Sequence, residues 1–293
     1  MKRPNLQKML AVGVHFGHRA RKWNPKMKPY IYAKKNGVHI FDLIATKKCL
    51  QDAQKFLSDL AKKGGKVLFL GTKKQAREAV KKWAEKVGAF YLTERWLGGL
   101  LTNFNEVEKA VARLRELKEI KSSAQWEELS TRKQHMINRE IHKKEKLLGG
   151  ILGMQEKPQA LIVVDPRKEK MAVKEAVEAG IPVVALIDTN GNPELISYPI
   201  PGNDDASRSI DLILSLLASA LGDVEEETSR PVSKPKPPAE IAGSSLPGRV
   251  KNALIKAGYT KLSEVQKVSD EELLAIKGLG KKAVEEIRKQ LTG

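Results

Sequence analysis

The chain alternates short apolar runs with amphipathic segments over about three quarters of its length. Four runs are largely apolar: 66–71, 89–92, 160–165 and 181–188. Such runs are typical of strands buried on both faces of a parallel sheet. Four other segments repeat apolar residues at the spacing of a helix with one buried face: 46–63, 73–87, 168–179 and 204–221. The alternation predicts an α/β fold in which a parallel sheet is sandwiched between helices.

Two details concern the ends of these predicted elements. Thr72 directly precedes the predicted helix 73–87, and its hydroxyl group is suited to cap that helix. Residues 198–202 contain two prolines and are predicted to form a short extended piece.

A pair of long, highly charged helices interrupts the alternation at about residues 104–149. Their apolar positions recur every three or four residues and form a narrow stripe: Val107, Val111, Leu114 and Leu117, then Ile137, Ile141 and Leu148. This pattern predicts an antiparallel helical hairpin that protrudes from the body. Two ordinary surface helices are the alternative, and they differ only in how far they project.

The pattern changes again after residue 222, which ends the predicted body, 1–222. Residues 223–245 are first acidic and then rich in proline, which indicates a flexible linker. Residues 246–293 return to helical spacing, with a predicted helix at 247–257 and Asp270 placed to cap another. Gly278-Leu-Gly280 between two helical segments predicts a helix-hairpin-helix domain, whose backbone N–H groups can hold a phosphate.

The first 41 residues, here called the leading segment, contain no aspartate or glutamate and ten lysines and arginines. Aromatic and imidazole rings alternate with these cations, and the whole protein has a net charge of +18. Cations neutralise phosphates, and flat rings stack on exposed bases. The leading segment is therefore predicted to bind nucleic acid. A solvated basic arm is the alternative, but such an arm has little use for so many rings.

The remaining composition restricts the class of protein. Cys49 is the single cysteine, so no internal disulfide can form, which fits a reducing compartment. No apolar run approaches the roughly 20 residues that span a bilayer. We therefore expect a cytoplasmic protein.

Catalytic motifs give no support for an enzyme. Residues 278–283 match G-x-G-x-x-A, but a predicted helix precedes them where the dinucleotide fingerprint requires a strand. The match is not a P-loop either, because Lys282 stands where Ser or Thr is required. We predict no enzymatic activity. A nucleotide-dependent α/β enzyme remains the alternative, and it would bind nucleotides saturably.

Four residues form a candidate metal site. Asp188 ends a predicted strand, Asp204 and Asp205 begin a predicted helix, and His18 lies in the leading segment. Carboxylates and an imidazole suit a structural divalent ion, Zn²⁺ or Mg²⁺. The alternative is that Asp204 and Asp205 are N-cap and first-turn residues that need no metal.

Five motifs in one order resemble the bacterial-type small ribosomal subunit protein S-two family: Gly13-Val-His-Phe-Gly-His18, Trp23-Asn-Pro-Lys-Met-Lys-Pro-Tyr30, Arg95-Trp-Leu-Gly-Gly-Leu-Leu-Thr-Asn103, Asp188-Thr-Asn190 and Ile200-Pro-Gly-Asn-Asp-Asp-Ala206. The resemblance covers roughly residues 1–222. It implies a structural protein that binds 16S ribosomal RNA between the head and body of the subunit. It also implies contact with the neighbouring protein S-one, through which messenger RNA is recruited.

The resemblance also implies which residues face RNA, by their positions in these motifs: His15, His18, Arg19, Arg21, Lys22, Trp23, Lys26, Lys28, Arg95 and Asn103. Residues 246–293 are similar to the C-terminal domain of the RNA polymerase alpha subunit. That similarity implies phosphate contacts by a second set: Lys277, Gly278, Gly280, Lys281 and Lys282. A protein-docking module and a DNA-binding regulator acting through this domain are the alternatives.

Overall fold

The computed structural model describes residues 2–123, 125–222, 247–257, 265, 268, 270–276, 279–280, 283–284 and 287. The protein divides into two compact units, Met1–Val224 and Glu225–Gly293. Each unit has its own hydrophobic core among the described residues.

The larger unit is built on a five-stranded parallel sheet. Its strands are β4 (Val67–Leu70), β5 (Phe90–Leu92), β6 (Ala160–Val164), β7 (Val183–Ile187) and β8 (Tyr198–Pro201), in the order β5-β4-β6-β7-β8. Every residue of β4, β6 and β7 is buried, as expected when helices cover both faces of a sheet. The predicted sandwich is confirmed, and the predicted extended piece at 198–202 pairs with β7 as an edge strand.

Alternate side chains of the strands enter two separate hydrophobic clusters. On one face, Phe69, Ile162 and Val184 pack with three helices: α2 (Leu43–Lys62), α3 (Arg77–Lys86) and α8 (Ser207–Leu221). On the other face, Leu68, Leu161 and Val183 pack with α7 (Lys170–Glu178) and with the helical pair that interrupts the α/β pattern. The two-residue period of the strands therefore assigns each apolar residue to one of two cores.

The interrupting helices are α4 (Phe104–Ser122) and α6 (Thr131–Leu148), with a short helix, α5 (Gln125–Glu128), between them. The predicted stripe is buried where α4 meets α6, at Val111, Leu114, Leu117, Ile141 and Leu148 among others. Ion pairs also link the two helices, including Lys118 Nζ to Glu145 Oε1 at 2.6 Å. The helical hairpin predicted at about 104–149 is confirmed.

The leading segment forms a short helix, α1 (Leu6–Ala11), and a three-stranded antiparallel sheet, here called the leading sheet, that the hydropathy pattern did not predict. Its strands are β1 (Phe16–Arg19), β2 (Ile31–Lys35) and β3 (Val38–Phe41), in the order β1-β3-β2. Two 3₁₀ turns, Ala20–Lys22 and Pro25–Tyr30, connect β1 to β2. The turn between β2 and β3 is Asn36-Gly37, with φ values of 50° and 75°. Asn-Gly is a strong hairpin signal, so this part of the sheet could have been predicted.

Three predicted element boundaries were wrong. Thr72 does not cap α3, which begins at Arg77, because its hydroxyl group donates to Glu169 Oε1 at 2.5 Å instead. The first long helix begins at Leu43 rather than residue 46, because the Asp42 side chain caps it by accepting from the backbone N–H of Ile44. The last helix of this unit begins at Ser207 rather than Asp204.

The smaller unit contains two described helices, α9 (Gly248–Lys256) and α10 (Asp270–Ala275). Its described core consists of Val250, Ala253, Leu254, Val265, Leu273, Leu279, Val284 and Ile287. Of the predicted phosphate contacts in this unit, Gly280 is exposed, and Lys277, Gly278, Lys281 and Lys282 lie outside the described residues. Across the described part of the protein, no helix is both long enough and apolar enough to cross a bilayer.

Candidate nucleic-acid interface and carboxylate centre

The leading sheet is attached to the body at the carboxyl end of β7. The backbone N–H of His18 donates to Asp188 Oδ1 at 2.9 Å and to Thr189 Oγ1 at 3.0 Å. The backbone N–H of Asn24 donates to the carbonyl oxygen of Thr189 at 2.7 Å. A Cβ atom at Gly17 would lie 2.6 Å from Thr189 Cγ2, so only glycine permits this approach. The Gly17-His18 motif therefore attaches the leading sheet to the body.

The rings of the leading segment have two different positions. Phe41 is buried with Met27 and Ile187, and Tyr30 packs against this cluster. Trp23 is half-buried, with its ring centroid 5.0 Å from that of the buried His39. Phe41 thus packs against Ile187 of the body, whereas the contact between Trp23 and His39 lies within the leading segment.

Two other rings face outward. Tyr32 is 79% exposed and Phe16 is 49% exposed. Neither was a predicted site residue, although both rings lie among the cations of the leading segment from which nucleic-acid binding was predicted. His15, which was predicted, is half-buried against Phe16 and has an Nδ1 atom without a hydrogen-bond partner among the described residues. Burial lowers the pKa of His15.

The predicted cations of the leading segment lie on its surface: Arg19, Arg21, Lys22, Lys26 and Lys28 are all exposed. Lys26 forms an ion pair with Glu194 of the body. Lys34 and Lys35 are also exposed, at the end of β2. Because the segment itself contributes no carboxylate before Asp42, this surface carries an excess of positive charge.

Arg95 and Asn103 lie in a different place, on the loop after β5. Both residues are exposed. The loop between them is held by the buried carboxylate of Glu175, which accepts from Trp96 Nε1 at 2.9 Å and from the backbone N–H of Gly99 at 3.0 Å. Glu175 also accepts from the backbone N–H of Leu101 at 3.3 Å. Sequence reasoning missed this role, because Glu175 lies on a helix far away in the chain.

The four predicted metal ligands do come together. One ligand atom from each of His18, Asp188, Asp204 and Asp205 lies within 4.8 Å of the others. His18 Nδ1 is 2.8 Å from Asp188 Oδ2, and His18 Nε2 is 3.4 Å from Asp205 Oδ2. Both ring nitrogens of His18 are therefore directed at carboxylates.

The alternative role of Asp204 and Asp205 as helix-capping residues was wrong. The side-chain oxygen of Asn203 accepts from the backbone N–H groups of Asp205 at 2.9 Å and Ala206 at 3.1 Å. This turn places both aspartates before α8, where Asp204 is only 1% exposed. The two carboxylates are thus directed at the centre rather than at the helix.

Lys73 and Asp165 complete this carboxylate centre, and sequence reasoning missed both. Lys73 Nζ lies 2.7 Å from Asp204 Oδ1, 2.7 Å from Asp205 Oδ1 and 3.1 Å from Asp165 Oδ2. Asp165 has a φ of 62°, an uncommon backbone conformation for a residue other than glycine. Lys73 follows β4 and Asp165 follows β6, so their positions after parallel strands were the available signal.

The centre perturbs the ionisation of its members. Burial, together with the nearby carboxylates of Asp165 and Asp188, raises the pKa of Asp204 to about 7. The hydrogen bond with Asp188 raises the pKa of His18. Burial alone would lower the pKa of Lys73, but the carboxylates around its ammonium group raise that pKa. The arrangement can therefore hold positive charge, as an ammonium group, an imidazolium group or a bound cation.

Comparison with known proteins matches two parts of the chain to family models. The model for "Ribosomal protein S2" matches residues 9–223, and the model for the C-terminal domain of the bacterial RNA polymerase alpha subunit matches residues 231–293. A relative, the small ribosomal subunit protein uS2 of Dictyoglomus thermophilum, is 46% identical over 216 residues. That alignment covers 74% of the present sequence and 88% of the relative. The protein belongs to the ribosomal protein S2 family and carries an added C-terminal module that matches the model for the C-terminal domain of the bacterial RNA polymerase alpha chain.

Proposed function

We propose that this protein is a non-catalytic constituent of the small ribosomal subunit in the cytoplasm and binds 16S ribosomal RNA through its leading segment. The observation that carries the proposal is the exposed, acid-free cationic surface attached to the body at Gly17-His18. Membership of the S2 family supports the ribosomal role.

Different side chains of the leading segment would contribute in different ways to the binding of RNA. Exposed Arg19, Arg21 and Lys22 would neutralise phosphates and release counterions, which makes binding dependent on salt. Tyr32 and Phe16 would stack on unpaired bases. The buried rings and the attachment at Thr189 would keep these groups in fixed positions, so less conformational entropy is lost on binding.

Two partner assignments extend the proposal. Contact with the neighbouring protein S-one follows from the family resemblance. The C-terminal module would bind nucleic acid through Lys277, Gly278, Gly280, Lys281 and Lys282, because in the sequence lysines flank a predicted helix-hairpin-helix turn that suits phosphates. A protein-docking role for the module is the competing assignment.

Sedimentation of tagged proteins through a sucrose gradient tests the main proposal. We expect the full-length protein and a version ending at residue 222 to migrate with small ribosomal subunits. Retention of both proteins at the top of the gradient would contradict the proposal. If only the full-length protein enters the particle and the shortened one binds no RNA, the module carries the binding, which favours a regulator that acts through this module.

The main rival is a nucleotide-dependent enzyme, since ligands of parallel sheets bind at the edge where the carboxylate centre lies. Four carboxylates at this edge would repel a nucleotide's phosphates. Calorimetric titration of the purified protein with ATP, GTP and NAD should therefore show no saturable heat. A saturable heat signal from the unaltered protein that is absent in Lys73→Met would support the nucleotide-dependent enzyme instead.

A second proposal concerns the carboxylate centre, which we propose binds a structural divalent ion, Zn²⁺ or Mg²⁺, through His18, Asp188, Asp204 and Asp205. The convergence of these four side chains supports it. Lys73 Nζ contacts Asp204 and Asp205, so it would compete with the ion for the same oxygen atoms. Elemental analysis of the purified protein should find about one ion per molecule, and His18→Ala should lose it. An equal and negligible metal content in the unaltered protein and in His18→Ala would contradict this proposal.

A further inference from the structure

The exposed side of α6 carries a regular line of basic side chains. Six residues fall within about 100° of one another around the helix, at 100° per residue. They are Arg132, His135, Arg139, His142, Lys143 and Lys146, here called the α6 stripe, and all six are exposed. The stripe extends over about 21 Å, at 1.5 Å per residue. None of its members is needed for the hydrophobic contact with α4, which uses Ile141 and Leu148.

The acidic residues of α6 lie on either side of this stripe rather than in it. Glu140 faces Arg113 and Lys144, and Glu145 faces Lys118. Arg132 and Arg139 have no ion-pair partner in the part of the protein that the structure describes. Arg132, Arg139 and Lys143 therefore present positive charge without an ion pair among the described residues, and the neutral His135 and His142 lie between and beside them.

The stripe ends at a cleft of about 500 Å³, formed where α6 meets α3 and the end of β5. His142 and Lys146 line the cleft together with Lys81, Lys118, Tyr91 and two carboxylates, Glu94 and Glu145. Lys118 is bound to Glu145 at 2.6 Å and Lys146 to Glu94 at 3.6 Å. Both ion pairs are partly exposed and hence weak, so a phosphate group can replace a carboxylate as the partner of either lysine.

We propose that the α6 stripe and the cleft form a second RNA-binding surface, in which the phosphates of one RNA strand follow the stripe and one phosphate enters the cleft between Lys118 and Lys146. The inference rests on the proposed function, because it assumes that this protein binds ribosomal RNA. It assigns the hairpin a role separate from that of the leading segment.

The chemistry favours a polynucleotide over an acidic protein segment. Cations spaced along about 21 Å of one helix face match a polymer with a charge on every unit, and arginine binds phosphate oxygens through two parallel hydrogen bonds. The stripe also lacks a continuous apolar border, which a protein partner would bury, since Met136 is the one large exposed apolar side chain among the described residues of α6.

The first test compares two full-length variants that lose the same charge. R132Q/R139Q/K146Q removes three cations of the stripe, and R167Q/K170Q/K174Q removes three exposed cations from α7 and the turn before it. Binding to 16S ribosomal RNA is measured by filter retention over a salt series. For the stripe variant we expect about tenfold weaker binding and a slope of log K against log salt reduced by about three, with little change in the control.

The outcomes separate this inference from the proposed function. If the unaltered protein binds and both variants weaken equally, the stripe has no special role and the inference is overturned. If the unaltered protein itself does not bind, the proposed function fails as well.

The second test uses lysine acylation of the free protein and of purified small subunits. We expect Lys118 and Lys146 to become protected in the subunit, while Lys170 and Lys174 stay reactive. Undiminished reactivity of Lys146 in the subunit would overturn the inference. Protection together with unchanged RNA binding by the stripe variant would overturn the RNA assignment in favour of an acidic protein partner.

Discussion

At the scale of single residues, the body depends on a few buried charges at the carboxyl edge of the sheet. Asp204 is 1% exposed and lies between Lys73 and other carboxylates. Glu175 is also distant in sequence from the groups it binds, and it satisfies three N–H groups of the loop after β5. Buried polar groups of this kind stabilise a fold only while all partners are present.

In protein freed of divalent ions by a chelator, Asp204 is expected to make stability decrease as the pH rises. Its pKa is raised to about 7 in the folded protein, against about 4 for an unfolded aspartate. Between these values the folded state binds more protons than the unfolded state, so the free energy of unfolding falls with rising pH, by at most about 1.4 kcal/mol per pH unit. Asp204→Asn should flatten this dependence between about pH 5 and pH 7.

Urea unfolding followed by tryptophan fluorescence measures the effect in the larger unit alone. All four tryptophans, Trp23, Trp83, Trp96 and Trp126, lie within it. An Asp204→Asn protein that keeps the pH slope of the unaltered protein would show that the carboxyl group does not titrate in this range.

Glu175→Ala should destabilise the larger unit by about 3 kcal/mol, because it leaves the indole N–H of Trp96 and two backbone N–H groups without an acceptor. Glu175→Gln retains an acceptor oxygen and should cost less. The unfolding midpoint in urea gives both values. Equal stability of the alanine and glutamine variants would mean that the hydrogen bonds do not hold the loop.

At the scale of elements, the central junction is the one between the leading sheet and β7. The sheet contributes few buried side chains of its own, so its position depends on the close approach of Gly17 to Thr189. The attachment uses backbone N–H groups of the leading segment, which donate to side-chain oxygens of Asp188 and Thr189 and to the backbone carbonyl of Thr189, and it fixes the exposed cations relative to the body.

Gly17→Ala should displace the leading sheet without unfolding the body. Its Cβ atom would lie 2.6 Å from Thr189 Cγ2 and 3.2 Å from the carbonyl oxygen of His39. We expect weaker binding to 16S ribosomal RNA with an almost unchanged urea midpoint. Gly222→Ala is the matched control, because a Cβ atom there has nothing within 4 Å and the residue lies outside the predicted RNA-facing motifs. If both variants bind like the unaltered protein, the approach of Gly17 to Thr189 does not set the position of the cations.

The difference between predicted and observed elements has a physical explanation. The strands β4, β6 and β7 could be predicted because both faces are buried and the apolar signal is continuous. The leading sheet could not be predicted from hydropathy, since most residues of β2 are exposed. Lys73, Asp165 and Glu175 were missed because their partners come from distant strands and helices, which no local pattern reports.

At the scale of the whole molecule, charge is the property most closely tied to the proposed function. The protein has a net charge of +18, and its larger unit matches the ribosomal protein S2 family. The carboxylate centre is a local cluster of acidic side chains within that basic unit. It includes Asp188, to which the backbone N–H of His18 donates where the leading sheet is attached. The same residue, His18, contributes to both, so we expect the proposed RNA binding and the stability of the centre to be coupled.

The measurement that tests this account most directly is the affinity for 16S ribosomal RNA of a full-length protein with Arg19, Arg21 and Lys22 each changed to glutamate. The control carries glutamate at Arg167, Lys170 and Lys174 and has the same net charge. We predict that the first protein loses affinity on the order of a hundredfold or more and fails to enter small subunits, while the control assembles. Equal affinity and equal incorporation of the two proteins would contradict the claim that the leading segment binds the RNA.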